Sequence, residues 1–237
     1  MKLPQWRKAA FWVAPLLLAS CATYVAGRAE SALRGAMPRV IGPADHYEAT
    51  VRGASADASH FDKVHVVGNR VQRPHTPVID RFEVDLQDVT FDLPSKQVSG
   101  IGSARAAVYV KAVDLTAYLE QQRWIARPSV QLLPPDRLEV SGFFKVLGVD
   151  LAAGAPATFK GRLVTSGSQL RVAVDSLSLG DREAPGLLKG LVATAVNPLF
   201  DLAAYAVPST VERVRVQDDA ILLEASGSQL QTVRPVK

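Results

Sequence analysis

The stretch from Pro185 to Tyr205 constrains the fold more than any other part of the chain, because it is apolar on nearly every side. Its apolar residues recur at steps of three and four, which places them along one face of a helix about 30 Å long. A helix this apolar is normally enclosed by protein. Asp201 argues against a membrane span, since a charge at membrane depth is costly. Pro198 predicts a kink, with Asn197 capping a second helical segment.

Nearly everything after residue 45 alternates between apolar and polar residues, which is typical of β-strands. The clearest strand spans residues 78 to 93, where the apolar phase shifts by one residue after Leu86 and predicts a β-bulge near Gln87 and Asp88. A short helix is predicted to follow Asp114, which would cap it. The sequence therefore predicts an α+β fold, with a strongly curved antiparallel sheet wrapped around the long apolar helix.

The strand over residues 97 to 112 carries small side chains on its apolar face, so the space opposite it is either closed by the helix or left unfilled. One interpretation is an ordinary packed core. The other is that a lipid occupies a groove between helix and sheet. The candidate lining residues are Leu188, Val192, Val196, Leu199 and Phe200 on the helix, and Ala104, Ala106, Val108 and Val110 on the strand.

The N-terminus has a short basic region followed by an apolar run, the pattern of a secretory signal. The run ends in the sequence LASC, which resembles the lipobox of bacterial lipoproteins. We therefore expect residues 1–20 to be a signal peptide and Cys21, the only cysteine, to carry the lipid, including palmitate. The alternative is an uncleaved membrane anchor, because Ala9–Gly27 contains no charged residue. Residues 28–230 are predicted to form a single lipid-binding domain.

Composition and motifs exclude several functions. Three of the 27 basic residues lie in the leader, so the remainder nearly balances the 23 acidic residues and gives no support for nucleic-acid binding. No nucleophile elbow, zinc-protease motif or P-loop is present. His60 and His65 do not share a helical face, and Glu83 and Asp85 alternate with apolar residues as the solvated face of a strand does. We predict no catalytic residue, no metal site and no cofactor.

Five short segments occur in an order that resembles a known family. They are YEATVRG at Tyr47–Gly53, FEVDLQDVTFD at Phe82–Asp92, DLTAYL at Asp114–Leu119, RLEVSG at Arg137–Gly142, and Asn197-Pro198-Leu199. Over residues 28–226 this order is similar to the LmeA-type family of bacterial envelope proteins that bind phospholipid. The resemblance implies a TULIP-like fold, in which a curved sheet wraps a long helix and leaves an apolar groove. It implies no catalytic motif.

The leading functional hypothesis is a non-enzymatic lipoprotein of the cell envelope that binds phospholipid or another acyl lipid, with lipid transfer as an extension of that activity. It would face the periplasm or the exterior, on the outer membrane if one is present, and its N-terminal lipid would hold it to the membrane. Each methylene buried in a groove contributes about 0.8 kcal/mol, so such a lipid needs no charged pocket. One alternative is a structural or assembly lipoprotein whose fully packed core docks an unknown protein partner. Another is an enzyme of unrecognised type that acts on envelope glycans or lipids.

Overall fold

The computed structural model describes residues 13–55, 57, 59–92, 97–146, 149–150, 156–205 and 210–231. Side chains are described in these ranges except at 13–25, 91–92, 97, 146, 149–150, 204 and 229–231. The first elements are α1 (Val13–Val40), β1 (His46–Ala54), β2 (His60–Val71), β3 (Ile79–Asp92), β4 (Gln97–Lys111), α2 (Ala112–Glu120), β5 (Ile125–Leu133) and β6 (Arg137–Val146). The others are β7 (Val149–Asp150), β8 (Ala157–Ser166), β9 (Gln169–Leu179), β10 (Arg182–Glu183), α3 (Gly186–Val196), β11 (Phe200–Asp201), a 3-10 turn (Leu202–Ala204), β12 (Thr210–Gln217) and β13 (Ala220–Gln231).

Within the described residues the strands form two antiparallel sheets. The first sheet has the order β1-β2-β3-β4-β13-β12, and the second has the order β10-β9-β8-β6-β5, with β7 beside β6 and β11 beside β9. The α+β class and the antiparallel pairing are therefore confirmed. The prediction of a single, strongly curved sheet was wrong, because there are two sheets and neither is closed or strongly curled. Helix α2 interrupts the run of strands after β4. Strands β5 to β11 then form the second sheet, and β12 and β13 return to the first sheet, where β13 pairs with β4.

The long apolar helix predicted over Pro185–Tyr205 was also wrong. Helix α3 ends at Val196, and Asn197 is extended with φ −107° and ψ 139°. Pro198 is the physical reason, since it disfavours helical geometry in the residue before it and has no N–H to donate. The Asn197–Pro198 peptide bond is cis. Asn197 therefore ends one helix instead of capping a second, and the following residues form β11 and the 3-10 turn.

Helix α1 covers the edge of the first sheet. Ala29, Leu33 and Met37 are buried along one side of it. The Val51 N–H donates a hydrogen bond of 3.0 Å to Glu30 Oε1, which ties the helix to β1. Among the residues described, no helix combines the length and the apolar character needed to cross a membrane.

One cluster of buried side chains connects the two sheets, and Tyr205 lies at the junction. Its ring centroid is 6.4 Å from that of Phe82 in the first sheet and 5.5 Å from that of Phe200 in the second. Its hydroxyl lies 3.2 Å from Thr76 Oγ1. Burial raises the pKa of the Tyr205 hydroxyl. Because Tyr205 is 1% exposed and contacts both sheets, it makes their packing mutually dependent.

A transverse line of four residues crosses the first sheet at matching register positions, and we call it the fold line. Its residues are Gly53, Asp62, Asp88 and Gly102. Gly53 and Asp88 have left-handed backbones, with φ of 67° and 53°, and a Cβ on Gly102 would lie 2.9 Å from the Asp88 Cβ. Across this line the buried or half-buried side chains on the inner face of β1 to β4 are three residues apart instead of two. The phase change predicted near Asp88 is therefore present, and a register shift between β3 and β4 follows three residues later.

Asp114 does not cap α2. The helix begins at Ala112 and its N-cap residue is Lys111, so Asp114 lies in the first turn. Asp114 is buried at 5% exposure and accepts a hydrogen bond of 2.7 Å from Arg70 Nη1. Arg70 also lies 3.4 Å from Asp80, which in turn pairs with Lys111. The carboxylate of Asp114 thus joins α2 to the ends of three strands, a contact that local sequence cannot indicate.

Candidate functional site

A cleft of about 920 Å³, which we call the main cleft, lies where the two sheets meet. It is lined mostly by small and polar side chains, namely Gln87, Ser103, Ala104, Arg105, Ser168, Ala203, Thr210, Glu212, Ser226, Gly227 and Ser228. Its volume is in the range of small-molecule binding sites. The lining chemistry fits the polar part of a lipid better than its acyl chains.

At the main cleft, β12 is shorter than its neighbour β13. It begins at Thr210, opposite Ser226, whereas β13 continues to Gln231. The turn between β8 and β9 lies beside this point, and Gly167 O accepts a hydrogen bond of 2.8 Å from the Val211 N–H. The second sheet therefore supplies the far wall of the cleft.

Asp201 holds that wall in place. Its carboxylate accepts hydrogen bonds from Ser168 Oγ at 2.7 Å, from Gln169 Nε2 at 3.1 Å and from the Ala203 N–H at 2.9 Å. Burial on its own would raise the pKa of Asp201, but these hydrogen bonds outweigh it and the pKa is lowered overall. Two of the three donors, Ser168 and Ala203, belong to residues that line the main cleft.

The predicted groove residues are divided between the two sheets. Helix α3 packs against β9 and β6 of the second sheet, whereas β4 lies in the first sheet between β3 and β13. The positions that protein atoms bury are Val192, Val196, Leu199, Phe200, Ala104, Ala106, Val108 and Val110. Leu188 is half-buried against the same core. Ala104 also lines the main cleft, and Ala106 lines a smaller one. Lipid contact at any of these positions stays a prediction.

Two further clefts lie on the outer, polar face of the first sheet. The one we call the cationic cleft has a volume of about 420 Å³, and its lining includes the cations Arg52, Lys63 and Arg105 together with His65 and Asp85. The three cations were not predicted as a site because they lie on separate strands. The alternation of each strand places them on its outer face, but only the register brings them together. Asp85 is exposed as predicted, and its Oδ1 lies 2.8 Å from His65 Nδ1.

The other one, the acidic cleft, has a volume of about 290 Å³ and is lined by Glu83, Asp85, Glu212 and Glu224 together with two arginines. One of these, Arg213, lies 3.3 Å from Glu224. The part of the chain that the structure describes contains no group of three or more histidine, cysteine, aspartate or glutamate side chains close enough to hold a metal ion.

The predicted lipid attachment site cannot be placed. Residues 1–12 lie outside the described residues, and so does the side chain of Cys21, although its backbone belongs to α1. The signal peptide, the lipobox and the alternative membrane anchor all stay predictions.

Comparison with protein families gives a match over most of the chain. The model described as LmeA-like phospholipid-binding matches residues 23–226. The chain belongs to this family. The match confirms the resemblance found in the sequence. In this LmeA-like chain it covers the second sheet, the cationic cleft, the first sheet except the end of β13, and the main cleft except Gly227 and Ser228. Comparison with curated proteins and with solved structures gave no match.

Proposed function

We propose that this LmeA-like chain is a non-enzymatic module that binds phospholipid in the bacterial cell envelope, with transfer of lipid between membranes as an extension of the same activity. The observation that carries the proposal is the family match over residues 23–226. The main cleft supports it, because it offers about 920 Å³ between the two sheets for the polar part of a lipid.

Binding of the acyl chains requires part of the packed core to open. Val192, Val196 and Leu199 are buried by protein atoms, so an acyl chain that contacts them must displace α3 from β9. Helix α3 has only 11 residues, and the buried ones are Val192 and Val196. A helix with so small a buried face is easier to displace than a central strand.

The membrane attachment is part of the proposal as well. The lipid on Cys21 would hold the N-terminus of α1 to the membrane, with the two sheets on the periplasmic or outer side. One acyl chain alone gives marginal, reversible binding, so stable anchoring requires the additional chains of a lipoprotein or another membrane contact.

The burial of Val192, Val196 and Leu199 by protein atoms favours the second candidate function, a structural or assembly lipoprotein with a packed core. The two functions differ in whether lipid copurifies. We expect native mass spectrometry of the full chain, released from a nonionic detergent free of phospholipid, to show bound phospholipid at defined stoichiometry. A mass that always equals the chain alone, combined with no uptake of a fluorescent phospholipid, would overturn phospholipid binding in favour of the assembly function.

A bulky side chain in the main cleft tests where the lipid binds. Ala203 is exposed at the rim of the cleft, so Ala203→Trp should obstruct it while leaving the core unchanged. We expect uptake of the fluorescent phospholipid to fall by about tenfold or more, which corresponds to 1.4 kcal/mol. Ala126→Trp is the matched control, because Ala126 is exposed on β5 of the second sheet. Equal uptake by the two variants would exclude the main cleft as the lipid site.

A further inference from the structure

Three cationic side chains converge on the cationic cleft. Arg52 of β1 and Lys63 of β2 are directly opposite each other in the register. Arg105 lies on β4, two strands from β2, which is a separation of about 10 Å between strand axes. Arginine and lysine side chains are long enough to meet across that distance. All three line the same cleft, with Gln87 and Ser103 between them.

None of these three side chains has an ion pair or a hydrogen bond within the described residues. The other arginine and lysine side chains in the strands of the first sheet do have ion pairs. They are Arg70, Arg81, Lys111, Arg213 and Arg215. The unpaired cations of this sheet are therefore concentrated in one cleft.

This arrangement is unfavourable in the free protein. Like charges directly opposite on neighbouring strands are destabilising, and Arg52 and Lys63 are such a pair. The carboxylate that lines the cleft is Asp85, whose Oδ1 already lies 2.8 Å from His65 Nδ1. An anion between the three cations would relieve the repulsion and would accept charge-assisted hydrogen bonds.

We propose that Arg52, Lys63 and Arg105 form a binding site for a phosphate group of net negative charge. This inference rests on the proposed function when the phosphate is the headgroup of an anionic phospholipid. Arg105 lines all three clefts, and because the cationic cleft and the main cleft share it, one lipid can extend from one into the other. The carboxylates of the acidic cleft, including Glu83 and Glu224, repel an anion from the opposite side and confine it near Arg52 and Lys63.

The test measures three ligands by isothermal titration calorimetry on the full chain in nonionic detergent. They are inorganic phosphate, short-chain phosphatidylglycerol and short-chain phosphatidylcholine, the last of which has no net charge. The test variant is Arg52→Gln with Arg105→Gln. The matched control is Arg123→Gln with Arg182→Gln, since both residues are exposed and lie outside the three clefts. Thermal melting of each variant checks that it is folded.

We expect the unsubstituted chain to bind phosphatidylglycerol at least about tenfold more tightly than phosphatidylcholine, and added salt to reduce this preference. The test variant should lose the preference and keep its affinity for phosphatidylcholine, whereas the control should keep both. Arg105→Lys should retain most of the preference because it retains the charge. A preference that survives in the test variant, or that falls equally in the control, overturns the site.

The outcomes also separate this site from the proposed function. If both lipids bind the test variant as they bind the unsubstituted chain, the site is overturned and phospholipid binding stands. If neither lipid binds but inorganic phosphate binds the unsubstituted chain and not the test variant, the anion site is supported with free phosphate as its ligand. In that case phospholipid binding is overturned.

Discussion

The side-chain amide of Asn197 substitutes for a strand along the edge of β9, and its removal should be costly. Its Oδ1 accepts a hydrogen bond of 2.7 Å from the Val172 N–H. Its Nδ2 donates to Val172 O at 2.9 Å and to Ala193 O at 2.8 Å. One side chain therefore satisfies both backbone groups of a buried residue in β9 and a carbonyl at the end of α3.

Asn197→Ala removes all three hydrogen bonds and leaves those backbone groups without that partner. At about 1 kcal/mol for each hydrogen bond the loss is about 3 kcal/mol. Asn197 is half-buried, and water can replace part of this, so we expect a decrease of about 2–3 kcal/mol in the free energy of unfolding. For a domain of this size that lowers Tm by about 4–12 °C.

The measurement is urea unfolding of the full chain in nonionic detergent, followed by circular dichroism. Asn69→Ala is the matched control, because the Asn69 side chain has no hydrogen bond within the described residues, and it should change stability by less than about 0.5 kcal/mol. Asn197→Asp should destabilise at least as much as alanine, since a carboxylate cannot donate to Val172 O or Ala193 O. Equal stability losses in Asn197→Ala and Asn69→Ala would refute this account of the edge.

Three other outcomes are expected. Cys21→Ser should accumulate as an unprocessed precursor on mass spectrometry, and an unchanged mass would instead favour the uncleaved anchor. The folded-state pKa of Asp201 is below its unfolded value, so its stabilisation is complete above the unfolded pKa of about 4 and is lost as pH falls through the folded pKa. In Asp201→Asn, the free energy of unfolding should therefore decrease less steeply on acidification. An unchanged decrease would contradict this. Leu199→Ala should lower stability by about 2–5 kcal/mol because Leu199 is 4% exposed, and Leu188→Ala should cost less; equal losses in chemical denaturation would show that Leu188 is as tightly packed as Leu199.

The strands and the class of the fold could be predicted because alternation is a local property. The phase change at Asp88 was visible in the sequence for the same reason, and the left-handed backbone of that residue agrees with it. The extent of α3 could not be predicted from its apolar pattern. Phe200 and Leu202 are buried although they lie beyond the end of α3, so an apolar spacing that continues past Val196 did not reveal where the helix stops.

The candidate sites depended on contacts between distant parts of the chain. Ala104 was predicted to line a groove opposite the apolar helix; it lines the main cleft, which contains no residue of α3 within the described residues, and its contact with lipid stays a prediction. The far wall of that cleft comes from Ser168 and Ala203, which belong to the other sheet. Arg52 and Lys63 become neighbours only through the register of β1 with β2. A single sequence contains the residues of such a site but not the pairing that assembles it.

The fold line determines which changes of length the first sheet can accept. Deletion of Asp88 alone would restore strict alternation in β3 and keep Val89 on the inner face, but it would move Val89 and the residues after it by one position relative to their lateral neighbours, Phe61 and Ile101. A one-residue change is therefore compatible with the sheet only when adjacent strands change at the same level. For the same reason a pairing that slips by one residue during folding brings the line in one strand out of step with the line in the next. The four residues of the fold line thus fix the register of β1 to β4. They exclude register-shifted pairings that a uniformly alternating sheet would tolerate.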